Sequence, residues 1–392
     1  MRNSIFVDIA CKQQCCRLEP ICGDTFMSRR SKEGDRCVAV LSDGMGHGVK
    51  ANVLSTLTAT FAIFDETGLN DIRKLAQNII NTLPVCSKRK VSYSTFTIVE
   101  VNTLTGKASI VEFDNPRCLI YREGVPINFE REKFIMDREN YRPQTIYQTK
   151  FDIKIGDRIV LMSDGVTHSG LGNCYSFGWE RENVEAFIKE KLDASNSLTS
   201  AELAKAVLSQ AVRNDHDLTN DDVSCAVITL RNAKKTIFIS CLPEDENKTD
   251  NLVKRLYNFN GKRIICGYPI ASLIAGVKGE NPLKDIISED ADLPPLWHMR
   301  DVDIVSEGLA TLNKVYSVLN NEEMLFSEKG AAFSIIETLL ESDEIHFIIG
   351  NAGYTYSDIY GFDEFKVRRN LIRSLCRVLE TKYLKSVKVE YI

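Results

Sequence analysis

The chain has 392 residues, a length that fits two ordinary domains better than one. Its apolar fraction of 44% and charged fraction of 26% are those of a soluble globular protein. A net charge of −5 without a basic stripe argues against a nucleic-acid partner, and no apolar run approaches the ~20 residues that span a bilayer.

The N-terminal stretch MRNSIFVDIACKQQ reads as a strand of the fold. Asp8 interrupts its apolar part, so it makes a poor signal peptide. None of the twelve cysteines forms a zinc pattern. Cys11, Cys15 and Cys16 come closest, but no second pair or histidines follow at the required spacing. They alternate with polar residues inside the expected strand and read as ordinary buried or half-buried thiols. Many unpaired cysteines and no signal sequence point to a reducing cytoplasm.

Residues 1–40 suggest antiparallel strands ending in the run CVAVLSD. A helix is expected over about 49–64, with Val53, Leu54, Leu57, Phe61 and Phe64 at helical spacing as its core face. A second helix is expected over about 71–83. STFTIVEV, KASIVEF and RCLIYREG then read as three strands with turns at 102–106 and 114–116. The polar segment 128–150 reads as a flap or loop pair, and RIVLMSD resumes the sheet. Helices over about 181–192 and 199–213 precede the last strand, NDDVSCAVITL. Strands here group with strands, which favours antiparallel sheets flanked by helices over a doubly wound parallel fold.

Near residue 233 the pattern changes. TIFISC, RIICGYP, DVDIVSEG, EIHFIIG and KSVKVEYI alternate with helical segments, as in a three-layer α/β domain with a largely parallel sheet. Residues 278–300, with three prolines, read as a long loop. The expected domains are 1–232 and 233–392, joined by the short polar stretch RNAKK.

The strongest chemical signal is a set of acidic sites at strand ends. VAVLSDGMGHG and RIVLMSDGVTHSG place Asp43 and Asp164 after buried runs, each followed by glycine, and NDDVSCAVITL places Asp221 and Asp222 before one. Hard divalent cations take oxygen ligands, and a strand end fixes where an oxygen points. Glycine at 44 and 46 lets the turn approach closely.

ICGDTF, SDGMGHG, STFTIVEV, SDGVTHSG and NDDVSCAVI occur in the order seen in SpoIIE-type serine/threonine phosphatases, a bacterial branch of the type 2C phosphatases. The resemblance covers about residues 1–232. It implies an αββα sandwich of two antiparallel sheets, so the whole chain is expected to be α+β, with a smaller three-layer α/β domain following. It implies that Asp43 bridges two Mn²⁺ or Mg²⁺ ions, that the Gly44 carbonyl ligates one, and that Asp164 with Asp221 or Asp222 completes the other. Asp221, first of its pair, is preferred. Asp24 resembles the acidic residue that orients water.

His47 is a candidate proton donor to the leaving alkoxide, against the blander reading that it buttresses its loop. His168 is set aside on similar grounds. Arg29 and Arg30, in the turn between strands, are candidates for holding the substrate phosphate. The expected partners are a phosphoprotein of the partner-switching kind and a second copy of the chain. The helix pair over 49–83 resembles a switch that gates activity. The C-terminal segment resembles a domain attached to some SpoIIE-type enzymes, but Gly267-Tyr-Pro-Ile-Ala stands where those carry Gly-Gly-Thr-Thr-Ala, so anion binding is not carried over. The leading function is a metal-dependent phosphatase acting on phosphoserine or phosphothreonine. The alternatives are a catalytically silent phosphoprotein-binding adaptor and a small-molecule phosphatase.

Overall fold

The computed structural model describes residues 5–31, 34–64, 75, 78–79, 94–136, 143–243, 245–284, 296–321, 330–351, 364–383 and 385–392. These fall into two compact units, Met1–Asn232 and Ala233–Ile392.

Among the described residues the first unit carries eleven strands. They are β1 (Ile5–Gln14), β2 (Thr25–Arg30), β3 (Arg36–Gly44), β4 (Ser94–Asn102), β5 (Lys107–Phe113), β6 (Leu119–Arg122), β7 (Val125–Pro126), β8 (Glu132–Met136), β9 (Gln144–Asp152), β10 (Arg158–Met162) and β11 (Val223–Asn232). Its helices are α1 (Gly48–Phe64), the short α2 (Asp164–Thr167), α3 (Glu180–Ala194) and α4 (Ser200–Asn214). One sheet runs β1-β11-β10-β6-β7 and the other β2-β3-β4-β5-β9-β8, both antiparallel throughout.

Alternation along the strands explains the layering. Ala39, Leu41, Val99 and Ile110 of one sheet meet Ile159, Leu161, Ala226 and Ile228 of the other in a shared core. The opposite faces are also apolar. Val40, Phe96 and Ile98 pack under α1 residues Ala59, Ala62 and Ile63. Val160, Met162 and Val227 pack under α3 and α4 through Val184, Ile188, Leu203 and Val207. Helices therefore cover both outer faces of an αββα sandwich. α4 starts on a capping box, with the Thr199 side chain and Glu202 satisfying each other's backbone N–H groups.

Three expectations change. The segment 128–150 is not a loose flap: β8 and β9 pair and extend the second sheet. β1 ends at Gln14, so Cys15 and Cys16 lie in the connection to β2 and not in a strand. Most of the expected face of α1 is exposed as well, with Leu54 the exception. Val53 and Phe64 are 59% and 61% exposed, while Ala51, Ser55, Thr58, Ala59 and Ala62 are buried. The helix backbone sits almost on the end of β3 at Ala51, as the next subsection details, and the buried face is made mostly of small side chains, with Leu54 and Ile63 the large ones. The helix expected over 71–83 lies largely outside the described residues, where only positions 75, 78 and 79 are assigned as helix.

The second unit adds β12 (Lys235–Ser240), β13 (Lys262–Cys266), β14 (Leu283–Lys284), β15 (Trp297–His298), β16 (Ile304–Ser306), β17 (Glu344–Ile349) and β18 (Ser386–Tyr391). The sheet order is β14-β15-β16-β13-β12-β17-β18, parallel from β16 to β18 and antiparallel at β14 and β15. Helices α5 (Thr249–Tyr257), α6 (Tyr268–Lys278), α7 (Leu309–Asn321), α8 (Ala331–Glu341) and α9 (Glu364–Thr381) complete it. α7, α8 and α9 pack on one face and α5 and α6 on the other, which makes three layers. Among the described residues no helix is long and apolar enough to cross a membrane.

Candidate functional site

Antiparallel pairing gathers the acidic sites. β3 pairs with β4 so that Asp43 faces Thr95. The Ser94 hydroxyl donates to the Asp43 carbonyl at 2.9 Å, and the Ser42 and Ser94 hydroxyls share a hydrogen bond of 2.7 Å. In the other sheet β10 pairs with β11, Met162 opposite Cys225. That register sets Asp164, just past β10, beside Asp221, just before β11. The Ser163 amide donates to the Ser224 carbonyl and the Ser224 amide to Ser163 Oγ, each at 3.0 Å, which locks the junction.

Asp43, Asp164 and Asp221 line one open pocket of about 290 Å³, together with Met45, Gly46, His47, Ser94, Thr95 and Asn220. Asp24, just before β2, is buried beside it and accepts a 2.5 Å hydrogen bond from Ser224 Oγ. The carboxyls disturb one another. Burial pushes Asp43 up to about 10, and the charges of Asp24, Asp164 and Asp221 add to it. Burial likewise pushes Asp24 up to about 7, against the hydrogen bonds from Ser224 and Ser163. Asp221 is raised by burial and then by Asp164. No basic side chain lines the pocket among the described residues except His47. Such a set of oxygen donors fits hard divalent cations.

The family profile described as Stage II sporulation protein E (SpoIIE) matches residues 33–231, half of the chain and nearly all of the first unit. The chain belongs to the SpoIIE family. No curated protein matches it. Among solved structures it is similar to the phosphatase domain of the cell-fate determinant SpoIIE from Bacillus subtilis, at 16% identity and TM-score 0.44, over 59% of this chain and 95% of that one. It is also similar to RsbX in complex with magnesium, at 14% identity and TM-score 0.39, over 57% of this chain and 95% of that one. A third is the S. agalactiae serine/threonine phosphatase, at 15% identity and TM-score 0.40, over 58% of this chain and 100% of that one.

In this SpoIIE-family chain the paired aspartates are separated by function. Asp221 lines the pocket. Asp222 is buried and turns the other way, its two oxygens accepting the backbone N–H groups of Cys16 and Gly23 at 2.9 Å each. Both residues precede β11, and the two amide bonds from the β1–β2 connection are what turn Asp222 away from the pocket. His47 lines the pocket with Nδ1 3.0 Å from Glu19 Oε1, an acidic partner that sequence reasoning missed. His168 Nδ1 stands 3.6 Å from Asp164 Oδ2. The arginines are elsewhere. Arg29 lies over the Phe64 ring, 5.0 Å from its centroid, and Arg30 donates to the Val7 carbonyl at 2.8 Å. Neither lines the pocket.

Ser94, Thr95 and Asn220 were not singled out from sequence. Ser94 and Thr95 open the strand that reads STFTIVEV, but nothing local to it tells which strand it will pair with. Gly44 has a different task from ion approach alone. A Cβ there would lie 2.1 Å from the Ala51 carbonyl oxygen of α1. Gly165 is similar, with the Asp222 carbonyl oxygen 2.2 Å from where its Cβ would be. Backbone must move to admit either. Gly44→Ala is expected to destabilise the first unit by about 3 kcal/mol, within the upper range for overpacking. Urea unfolding in chelator checks this, and an unchanged midpoint would refute the close-packing explanation.

Proposed function

We propose that the first unit, residues 1–232, is a metal-dependent phosphatase that removes phosphate from phosphoserine or phosphothreonine of a regulatory protein. One observation carries the reading. Three carboxyls from distant parts of the chain, Asp43, Asp164 and Asp221, line one pocket, and Asp43 is pushed up to about 10 by burial and by its acidic neighbours. Crowding carboxyls in one partly enclosed pocket without cationic partners is unfavourable unless a cation joins them. Membership of the SpoIIE family supports the same chemistry.

Asp43, Asp164, Asp221 and the Gly44 carbonyl are the proposed ligands of two Mn²⁺ or Mg²⁺ ions. When bound, such ions supply an acidified water and neutralise phosphoryl charge. The chain's own residues do the rest. The Ser42–Ser94 pair holds Asp43 in register. Asp24, buried beside the pocket and held by Ser224, is the proposed residue that orients water there. His47, held by Glu19, is placed to give a proton to the leaving alkoxide. Open access through the pocket mouth suits a side chain carried on a protein. The expected partner is therefore a phosphoprotein, of the kind a partner-switching pathway uses.

Hydrolysis of an aryl phosphate and of a phosphoserine peptide with Mn²⁺ tests the reading. Wild-type chain is expected to turn over both, and Asp164→Asn and Asp221→Asn to lose at least about a hundredfold, roughly 3 kcal/mol of transition-state stabilisation. Equal, low rates in wild type and variants, with phosphopeptide still bound, would instead mark a silent adaptor.

A further inference from the structure

The acidic pocket leaves the cysteines unused. Two of them occupy a shared position in the fold. Cys15 and Cys22 both lie in the connection between β1 and β2. Their Sγ atoms and a carboxylate oxygen of Asp222 all lie within 4.8 Å of one another. Both thiols are free and half-buried, while Asp222 is buried.

Asp222 is fixed to that same connection. It accepts the amides of Cys16 and Gly23, the residues directly after Cys15 and Cys22. The two bonds anchor both cysteines around one carboxylate. A carboxylate has about four acceptor positions, so two amides leave room for a further contact. Neither thiol lines the acidic pocket.

The donor set differs from that of the pocket. Oxygens alone suit Mg²⁺ or Mn²⁺, whereas two sulfurs with one carboxylate suit a softer ion. Zinc bonds to thiolate sulfur at about 2.3 Å, so neighbouring donors of a tetrahedral ion stand about 3.5–4 Å apart. The cluster needs only a small contraction to reach that spacing. Three protein donors leave a fourth position for water, and the half-buried thiols give an entry path.

We propose that Cys15, Cys22 and Asp222 bind one thiophilic divalent cation of the zinc class, at a site separate from the pocket of Asp43, Asp164 and Asp221. Binding releases two thiol protons to water and leaves two thiolates and one carboxylate around the dication. The ion clips the β1–β2 connection to the start of β11. Asp24, two residues after Cys22, is held more firmly as a result. The sequence shows no zinc pattern because the third donor lies about two hundred residues away from the first two.

The full chain, reduced and stripped with chelator under anaerobic conditions, is titrated with Co²⁺ and then Zn²⁺. One equivalent of cobalt is expected to give thiolate-to-cobalt charge-transfer absorption, and one equivalent of zinc to abolish it. Cys15→Ser and Cys22→Ser are expected to lose the band. Cys174→Ser, an exposed thiol elsewhere in the unit, and Asp43→Asn are expected to keep it. X-ray absorption of the zinc-loaded wild type needs no variant and is expected to show two sulfur neighbours. A zinc shell of oxygen and nitrogen alone, a cobalt band that survives in both serine variants, or a Cys15–Cys22 disulfide in place of bound ion overturns the proposal.

Discussion

Asp43→Asn is expected to lower Mn²⁺-dependent hydrolysis at least about a thousandfold, roughly 4 kcal/mol, while making the metal-free chain more stable. The two effects have one cause. Asp43 is raised from an ordinary 3.8 to about 10, first by burial and then by Asp24, Asp164 and Asp221. A carboxyl whose folded pKa lies above its unfolded one stabilises fully below the unfolded value. That contribution is lost as pH rises towards the folded value. Metal-free wild type is therefore expected to weaken between pH 4 and pH 10. Asparagine cannot ionise, so the variant escapes that loss, and its advantage over wild type grows from pH 6 to pH 8. Thermal melts in chelator at pH 6 and pH 8 check this. Wild type should fall more than the variant between them, and added Mn²⁺ should raise wild type and leave the variant little changed. A variant less stable than wild type at pH 8 in chelator would remove the electrostatic account of the pocket.

Asp222→Ala is expected to have the reverse signature, a large loss of stability with or without added ions. Its carboxylate accepts the Cys16 and Gly23 amides at 2.9 Å each, and no other acceptor for them stands among the described residues. Removing it orphans both donors in a buried place and opens a cavity, together about 4 kcal/mol. For a unit of this size that lowers the melting midpoint by roughly 10 °C. Asp222→Asn retains one acceptor oxygen and should recover part of the loss. Asp221→Asn next door should not destabilise the metal-free chain at all, because it removes a charge from a crowded pocket. If Asp221 and Asp222 variants melt alike in chelator, the division of labour between them is wrong.

Antiparallel strands flanked by helices in the first unit and the parallel sheet of the second were legible from local pattern, while the two-sheet αββα arrangement came from the family resemblance. Alternating apolar residues, turn signals and the switch to strand–helix alternation near 233 are properties of short windows. The face of α1 was not. Val53, Leu57, Phe61 and Phe64 have the right spacing for a core stripe, yet the helix turns its small residues inward. The close approach of Gly44 to the Ala51 carbonyl sets how the first turns of the helix lie on β3, and of the expected stripe only Leu54 is buried there. Arg30 likewise reads as a phosphate ligand only until its bond to the Val7 carbonyl is seen. The strand β8, inside a polar segment, exists because β9 offers it an edge to pair with.

The acidic site divides in the same way. Which residues carry the carboxyls, and that Asp43 and Asp164 follow apolar runs with glycine after them while Asp221 and Asp222 precede one, follow from the sequence by itself, since burial of a strand needs no distant partner to be named. Which of Asp221 and Asp222 enters the pocket, and that Cys15 and Cys22 meet the other, were decided only by tertiary structure. Strand register sets both, and register depends on hydrogen bonds and core packing between segments that local periodicity cannot relate.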